Sequence, residues 1–234
     1  MPPRKNQGFT LIELLVTVSI VAVLAVGLVT AVRSGMAAAK RAACAKNMRQ
    51  IGVGITGYAT EHDGEFPRTT HTESVEGSWI NTLQPYLGSI DQLLICPGDP
   101  QAEERRSNGV SSYVLNEYIS VAERDPFGQS TGPAFTNLNH LPQPSKTIVV
   151  FIGADGLSPS MSSDHTHSRN WGSWETVLDD IQPDRHRSGA ASENHTNGNA
   201  NYLYADGRVV NIEAAEFKRL IDEGINPALP PTDP

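Results

Sequence analysis

A chain of 234 residues with 38% hydrophobic and 19% charged side chains has the make-up of one modest globular domain with an appended segment, and is neither fibrous nor disordered in composition. Its formal charge of −8 is opposite in sign to the Lys/Arg footprint that neutralises a phosphate backbone, so nucleic acid is not an expected partner. Glycine and proline gather after residue 60 and predict a loop-rich distal part.

The chain opens on a short polar leader containing Arg4 and Lys5, followed by residues 9–32, a run in which Glu13 is the only ionisable side chain. As a helix, 24 residues extend about 36 Å, enough to cross a ~30 Å hydrocarbon core. The run passes into a further helical pattern without an Ala-x-Ala boundary, so it reads as a retained transmembrane helix and not as a cleaved secretory signal. Arg4 and Lys5 favour a cytoplasmic N-terminus, while Arg33, Lys40 and Arg41 beyond the run weaken that bias. Glu13 stands out, because a carboxylate in this setting costs ~2.5 to 3.5 kcal/mol on insertion scales. Chemistry alone leaves two readings: a side chain reaching to the headgroups, or one that needs a cationic partner.

Past Arg33, residues Cys44, Met48, Ile51, Ile55 and Tyr58 fall on one face at helical spacing. The helix is therefore expected to continue over 33–62 and to stop at His62-Asp63-Gly64, with Pro67 following. Gly52, Gly54 and Gly57 each cost about 1 kcal/mol relative to alanine and predict irregular last turns. In the head, expected over 63–225, Ser78 to Leu87 reads as a short amphipathic helix, and Ser111 to Leu115 and Thr147 to Ile152 read as strands. Asp206-Gly207 between Ala200–Ala205 and Arg208–Ile212 predicts a hairpin with a two-residue turn. Ala214 to Glu223 reads as a helix burying Phe217, Leu220 and Ile221, ended by Gly224. The tail, 226–234, is proline-rich and expected to be disordered. Trp79, Trp171, Trp174, Tyr202 and Tyr204 are either core packing or a carbohydrate or protein contact surface.

The octapeptide Gly8-Phe9-Thr10-Leu11-Ile12-Glu13-Leu14-Leu15 resembles the prepilin-type cleavage and methylation segment shared by type IV pilins and type II secretion pseudopilins. The resemblance implies an eight-residue leader, 1–8, removed after Gly8 by a prepilin peptidase, and methylation of the new Phe9 amine. It implies that Glu13 meets the N-terminal amine of a neighbouring subunit and sets filament register. It further implies an α+β pilin-like fold: a long N-terminal helix, transmembrane over 9–32, packed on a small antiparallel sheet with long loops. The expected partners are the prepilin peptidase, other pilin-like subunits, an inner-membrane assembly platform and the membrane itself. The expected location is the bacterial inner membrane, single-pass, with the head periplasmic or extracellular. A tip or minor subunit, or an anchored head binding a protein, surface or carbohydrate, is the alternative.

The distal region, with Tyr58 through Pro67, Leu94-Ile95-Cys96-Pro97 and Ser112-Tyr113, resembles prepilin-type proteins whose heads end in His, nine residues, Asp-Gly. From His195 to Asp206-Gly207 there are ten intervening residues, so either one residue is inserted near Asn197-Gly198 or the family histidine is His186. Cys44 and Cys96 are the only cysteines; outside the cytoplasm they would form a disulfide worth roughly 4 kcal/mol, the alternative being two buried thiols. Asp164, His165, His167, His186 and His195 invite a metal-dependent enzyme reading, but His-Glu-x-x-His, a nucleophile elbow and a phosphate loop are all missing, and no cofactor is expected. Asn194, Asn197, Asn199 and Asp206 are weak calcium candidates, a reading encouraged by calcium in the heads of major pseudopilins.

Overall fold

The computed structural model describes residues 9–71, 73–88, 93–123, 127, 129, 135–159 and 163–232. The leader, with Gly8, lies outside them.

Helix α1 (Leu11–Glu61) runs for 51 residues, about 76 Å at ~1.5 Å per residue. Thr10 caps its start, and at its end Gly64, with a positive φ of 87°, lets the Gly64 N–H return to the Ala59 carbonyl at 2.8 Å. Along its first half the large aliphatic residues from Leu11 to Met36 are all exposed. Burial begins at Cys44 and continues through Met48, Ile51, Ile55 and Ala59, so the expected stripe is the face that enters the head.

The head is a four-stranded antiparallel sheet in the order β1-β2-β3-β4, built from β1 (Tyr113–Leu115), β2 (Ile148–Ile152), β3 (Asn199–Tyr204) and β4 (Val209–Glu213). Val114 pairs with Phe151, and Asn201 with Asn211. Strand β3 is covered on both faces. Leu203 meets α1 at Gly52, and Asn201 donates to the Arg41 carbonyl at 2.9 Å. On the opposite face Tyr202 stacks on Phe217 of α2 (Ala214–Asp222), ring centroids 5.1 Å apart, with Phe151 edge-on to Tyr202. The alternation of β3 thus sends one set of side chains to each helix layer. The long N-terminal helix on a small antiparallel sheet is the α+β, pilin-like architecture.

Several details depart from the local reading. The expected helix 78–87 divides at Leu83 into Trp79–Thr82 and Gln84–Leu87, because Pro85 in the first turn of the second segment lacks the N–H that would continue the first. The hairpin turn is wider than two residues. Tyr204 N–H bonds Arg208 O and Gly207 N–H bonds Tyr204 O, leaving a three-residue loop, Ala205 to Gly207, with left-handed Gly207, a standard way to match strand twist. The proline-rich tail is ordered through the described residues: Asn116 donates to both Ile148 O and Ala228 O at 2.7 Å, Asn226 reaches Ser168 O, and Ala228 is buried. One buried amide, Asn116, and one half-buried amide, Asn226, do what composition alone did not anticipate.

The helix glycines leave α1 regular to Glu61 and serve close approach. A Cβ on Gly54 would lie 2.6 Å from Leu87 Cδ2 and 2.9 Å from its Cγ, and one on Gly57 would lie 2.9 Å from Tyr86. Tyr86 completes the contact by donating its hydroxyl to Glu61 at 2.6 Å. Gly54→Val should therefore destabilise the head by roughly 1–3 kcal/mol through overpacking, read as a lower unfolding midpoint of the full chain in detergent. Unchanged stability would show that Leu87 yields without cost.

Candidate functional site

At the start of α1 the backbone and one carboxylate form a closed unit. Thr10 Oγ1 accepts from the Glu13 N–H at 3.3 Å, while Glu13 Oε2 accepts from the Thr10 N–H at 2.9 Å and from its hydroxyl at 2.8 Å. This is a reciprocal capping box; the Thr10-Leu11-Ile12-Glu13 spacing carries that signal, which the sequence reading left unused. Among the described residues the carboxylate is thus hydrogen-bonded by Thr10 alone, with no cation beside it. Farther along, the hydroxyls of Thr17, Ser19 and Thr30 donate to carbonyls one turn back, at 2.8, 2.8 and 2.9 Å, which hides their polarity from an apolar surrounding. Phe9 is exposed next to this unit. The N-terminal helix therefore presents an all-round apolar surface with one carboxylate near its tip.

In the head the titratable candidates are mostly structural. Asp164, fully buried, accepts from the Thr70 N–H and hydroxyl, from Ser78 Oγ at 2.5 Å and from His165 Nδ1, and its carbonyl accepts the Trp79 indole N–H. Burial pushes the Asp164 carboxyl up, but the hydrogen bonds from His165, Ser78 and Thr70 outweigh it and hold the group below its ordinary range. His167 is held in the same way by Asp180, through its backbone N–H at 2.7 Å and its Nδ1 at 3.2 Å. The tryptophans offered as a contact surface are core residues: Trp79, Trp171 and Trp174 are buried, and the last two give their indole N–H to Asp180 and to Asn194 O.

The residues of the His, Asp-Gly motif separate. His195 has a positive φ of 52° and packs its Nδ1 against Asp184 and Gln182, whereas Asp206 sits in the hairpin loop beside Arg208. Asn197 and Asn199 lie at one end of β3 and Asp206 beyond the other, roughly 20 Å away at ~3.3 Å per residue. These three candidates therefore do not form one calcium site; Asn199 instead pairs with Asn211.

His186 lies elsewhere, with the cysteines. Both thiols are free and buried in the structure, so the expected disulfide is not formed, yet the fold does bring Cys44 and Cys96 together. Cys96 Sγ stands 3.9 Å from His186 Nε2, and Cys44 Sγ takes the Tyr113 hydroxyl at 3.6 Å. Burial holds the Cys96 thiol well above its usual value, and the hydrogen bond from Cys96 draws Cys44 down. Sequence reasoning placed the two cysteines correctly in one locality but did not join His186 to them, since no local spacing connects a helix face to two loops.

A family model described as the prokaryotic N-terminal methylation motif matches residues 3–29. The match covers the leader and most of the apolar run, including Gly8, Phe9 and Glu13, and leaves the head outside it. No curated protein and no solved structure matches the chain. The chain therefore carries the N-terminal segment of a prepilin-type protein, a pilin or pseudopilin, in front of a head whose family is not identified by these comparisons. Such a segment implies processing by a prepilin peptidase and association with other pilin subunits, and, with the apolar helix, fits a membrane-anchored protein. It points to a structural subunit and not to an enzyme.

The Asp164 geometry has a consequence for acid stability. Because its folded pKa is depressed, its contribution is present above the ordinary value of 3.8 and lost as pH falls through the lower folded value. Asp164→Asn should cost about 2 kcal/mol at pH 7 and progressively less on acidification, converging with the parent chain once the pH falls below the depressed folded value of Asp164. Urea unfolding midpoints across that range measure it; a penalty independent of pH would contradict an ionised hub.

Proposed function

We propose that the chain is a subunit of a type II secretion pseudopilus or a type IV pilus-like filament, cut after Gly8, methylated at Phe9 and assembled through α1. The observation that carries this reading is the tip of the helix. Glu13 is the only ionisable residue of the apolar run, and among the described residues its hydrogen bonds come from Thr10, so no charge among those residues balances it. Cleavage after Gly8 would create a cationic amine at Phe9, one helical turn away in sequence. Within one chain that amine belongs to the same strand end; in a stack of parallel helices the amine of the next subunit can meet Glu13. Burial of such a pair among apolar helices is favourable only when both charges are present, because removing one leaves the other buried without compensation. That requirement makes the pair a register device.

The exposed aliphatic surface of α1 supports the same reading. A helix apolar on every side is stable in lipid or inside a bundle of like helices and in no aqueous setting. The membrane would hold the subunit before assembly, with the N-terminus cytoplasmic and the head on the far side, and sibling helices would replace lipid afterwards. An inner-membrane platform is the expected site of that exchange.

Two measurements test the proposal. The intact mass of the chain from cells with active prepilin peptidase should correspond to a start at Phe9 plus one methyl group, whereas a chain retaining residue 1 would refute processing. Glu13→Ala should insert and be cleaved normally but enter filaments at least about tenfold less than the parent, a difference worth ~1.4 kcal/mol. Equal incorporation in sheared filament fractions would remove Glu13 from the assembly contact.

A further inference from the structure

We infer that Cys44, Cys96 and His186 form a buried site for one thiophilic cation, zinc(II) or copper(I), that clamps the head onto the long helix. Among the described residues this is the group whose ligand atoms converge: the two Sγ atoms and an imidazole nitrogen all lie within 4.8 Å of one another. Ligands of a single zinc ion, at about 2.3 Å for sulfur and about 2.0 Å for nitrogen, stand roughly 3.5–3.8 Å apart. The 3.9 Å between Cys96 Sγ and His186 Nε2 needs only a few tenths of an ångström of adjustment to reach that spacing.

The chemistry of the donor set is consistent with such an ion. Two thiolates and one imidazole are soft to borderline ligands, the set that selects zinc or copper(I) over calcium and magnesium. Two thiolate charges balance a divalent cation, so zinc would leave the site neutral, which matters where Cys44 and Cys96 are wholly buried and His186 nearly so. The imidazole is otherwise poorly accounted for. Among the described residues its Nδ1 is buried without a hydrogen-bond partner, and its Nε2 faces the Cys96 sulfur. Nε2, the nitrogen that faces the Cys96 sulfur, is the one placed to bind an ion.

Nearby residues hold the three ligands in place. Gly98 packs so closely on the ring that a Cβ there would lie 3.1 Å from Nδ1. Asn47, one turn after Cys44, donates to the Ile95 carbonyl at 3.1 Å, fixing the loop that carries Cys96. Arg185, adjacent to His186, is anchored by Asp155 and by the Gly153 carbonyl. The ligands come from α1, from the loop before Ala102–Ser107 and from the loop before β3, so one ion would join the helix to two distant parts of the head. Their burial also argues against a nucleophilic Cys-His pair, which needs substrate access.

The test is independent of filament assembly. The full chain, extracted from membranes in mild detergent without chelator, is assayed for metals by mass spectrometry and for thiols by alkylation after unfolding. Close to one zinc or copper per chain is expected, falling at least about tenfold in Cys44→Ser and His186→Asn. Cobalt(II) exchanged into the parent chain should give sulfur-to-metal charge-transfer absorption in the near ultraviolet, a readout that does not depend on either variant folding. A chain without zinc or copper overturns the inference, whether its cysteines alkylate as free thiols or its mass is lower by two hydrogens, the signature of a disulfide. Absence of the charge-transfer band on cobalt loading would do the same.

Discussion

A helix that is apolar on all sides for half its length and on one side for the rest imposes the organisation of this protein. Its proximal half offers nothing that water can cover, so the residues from Leu11 to Met36 require lipid or other helices. Its distal half offers a stripe about one side-chain wide, and the head is the structure that covers it. Both demands are made by one continuous element, and the junction between them near Ser34 to Cys44 is a change of solvent without a break in the helix. Displacement of the proximal half would be carried directly into the head.

The head meets the helix through the buried stripe of Cys44, Met48, Ile51 and Ile55, through close backbone approach, and through a few long-range polar ties. Gly52, Gly54 and Gly57 remove side chains where Leu203, Leu87 and Tyr86 press inward. Asn47 and Asn201 add hydrogen bonds from opposite sides, one from the helix to the Ile95 carbonyl and one from β3 to the Arg41 carbonyl. A helix stripe with three glycines is weak by propensity, and the arrangement recovers stability by packing. The Cys44, Cys96 and His186 cluster lies at the same junction, which is where a clamp between anchor and head would have most mechanical effect.

Loop-rich heads have little regular backbone to satisfy polar groups, and here buried charged side chains take that role. Asp99 is paired with Arg105 at 2.9 Å and accepts from Ser112 at 2.6 Å, while Arg105 itself donates to the carbonyls of Ala154 and Leu157. Asp164 gathers the segment around Thr70 and Ser78 onto the segment before His165 in the same manner. Such networks are costly unless complete. His165 and His167, which looked like catalytic candidates, are held by the carboxylates of Asp164 and Asp180 as structural members.

The sequence by itself determined the N-terminal segment, the extent of α1 within two residues, the β3–β4 hairpin and α2. These rest on local physics: unbroken apolar composition, a 3.6-residue stripe, a glycine in a tight loop and an amphipathic period. Only the tertiary structure decided that the helix glycines are contact points, that Asn116 and Asn226 hold the tail, that Asn199 and Asp206 lie at opposite ends of a strand, and that His186 joins Cys44 and Cys96. Each of those is a meeting of side chains far apart along the chain. Local propensity carries no information about such meetings, because they follow from how the sheet is sandwiched between α1 and α2. At the tip of α1 the order of Gly8, Phe9 and Glu13 was legible in the sequence, and the fold added that Thr10 holds the Glu13 carboxylate.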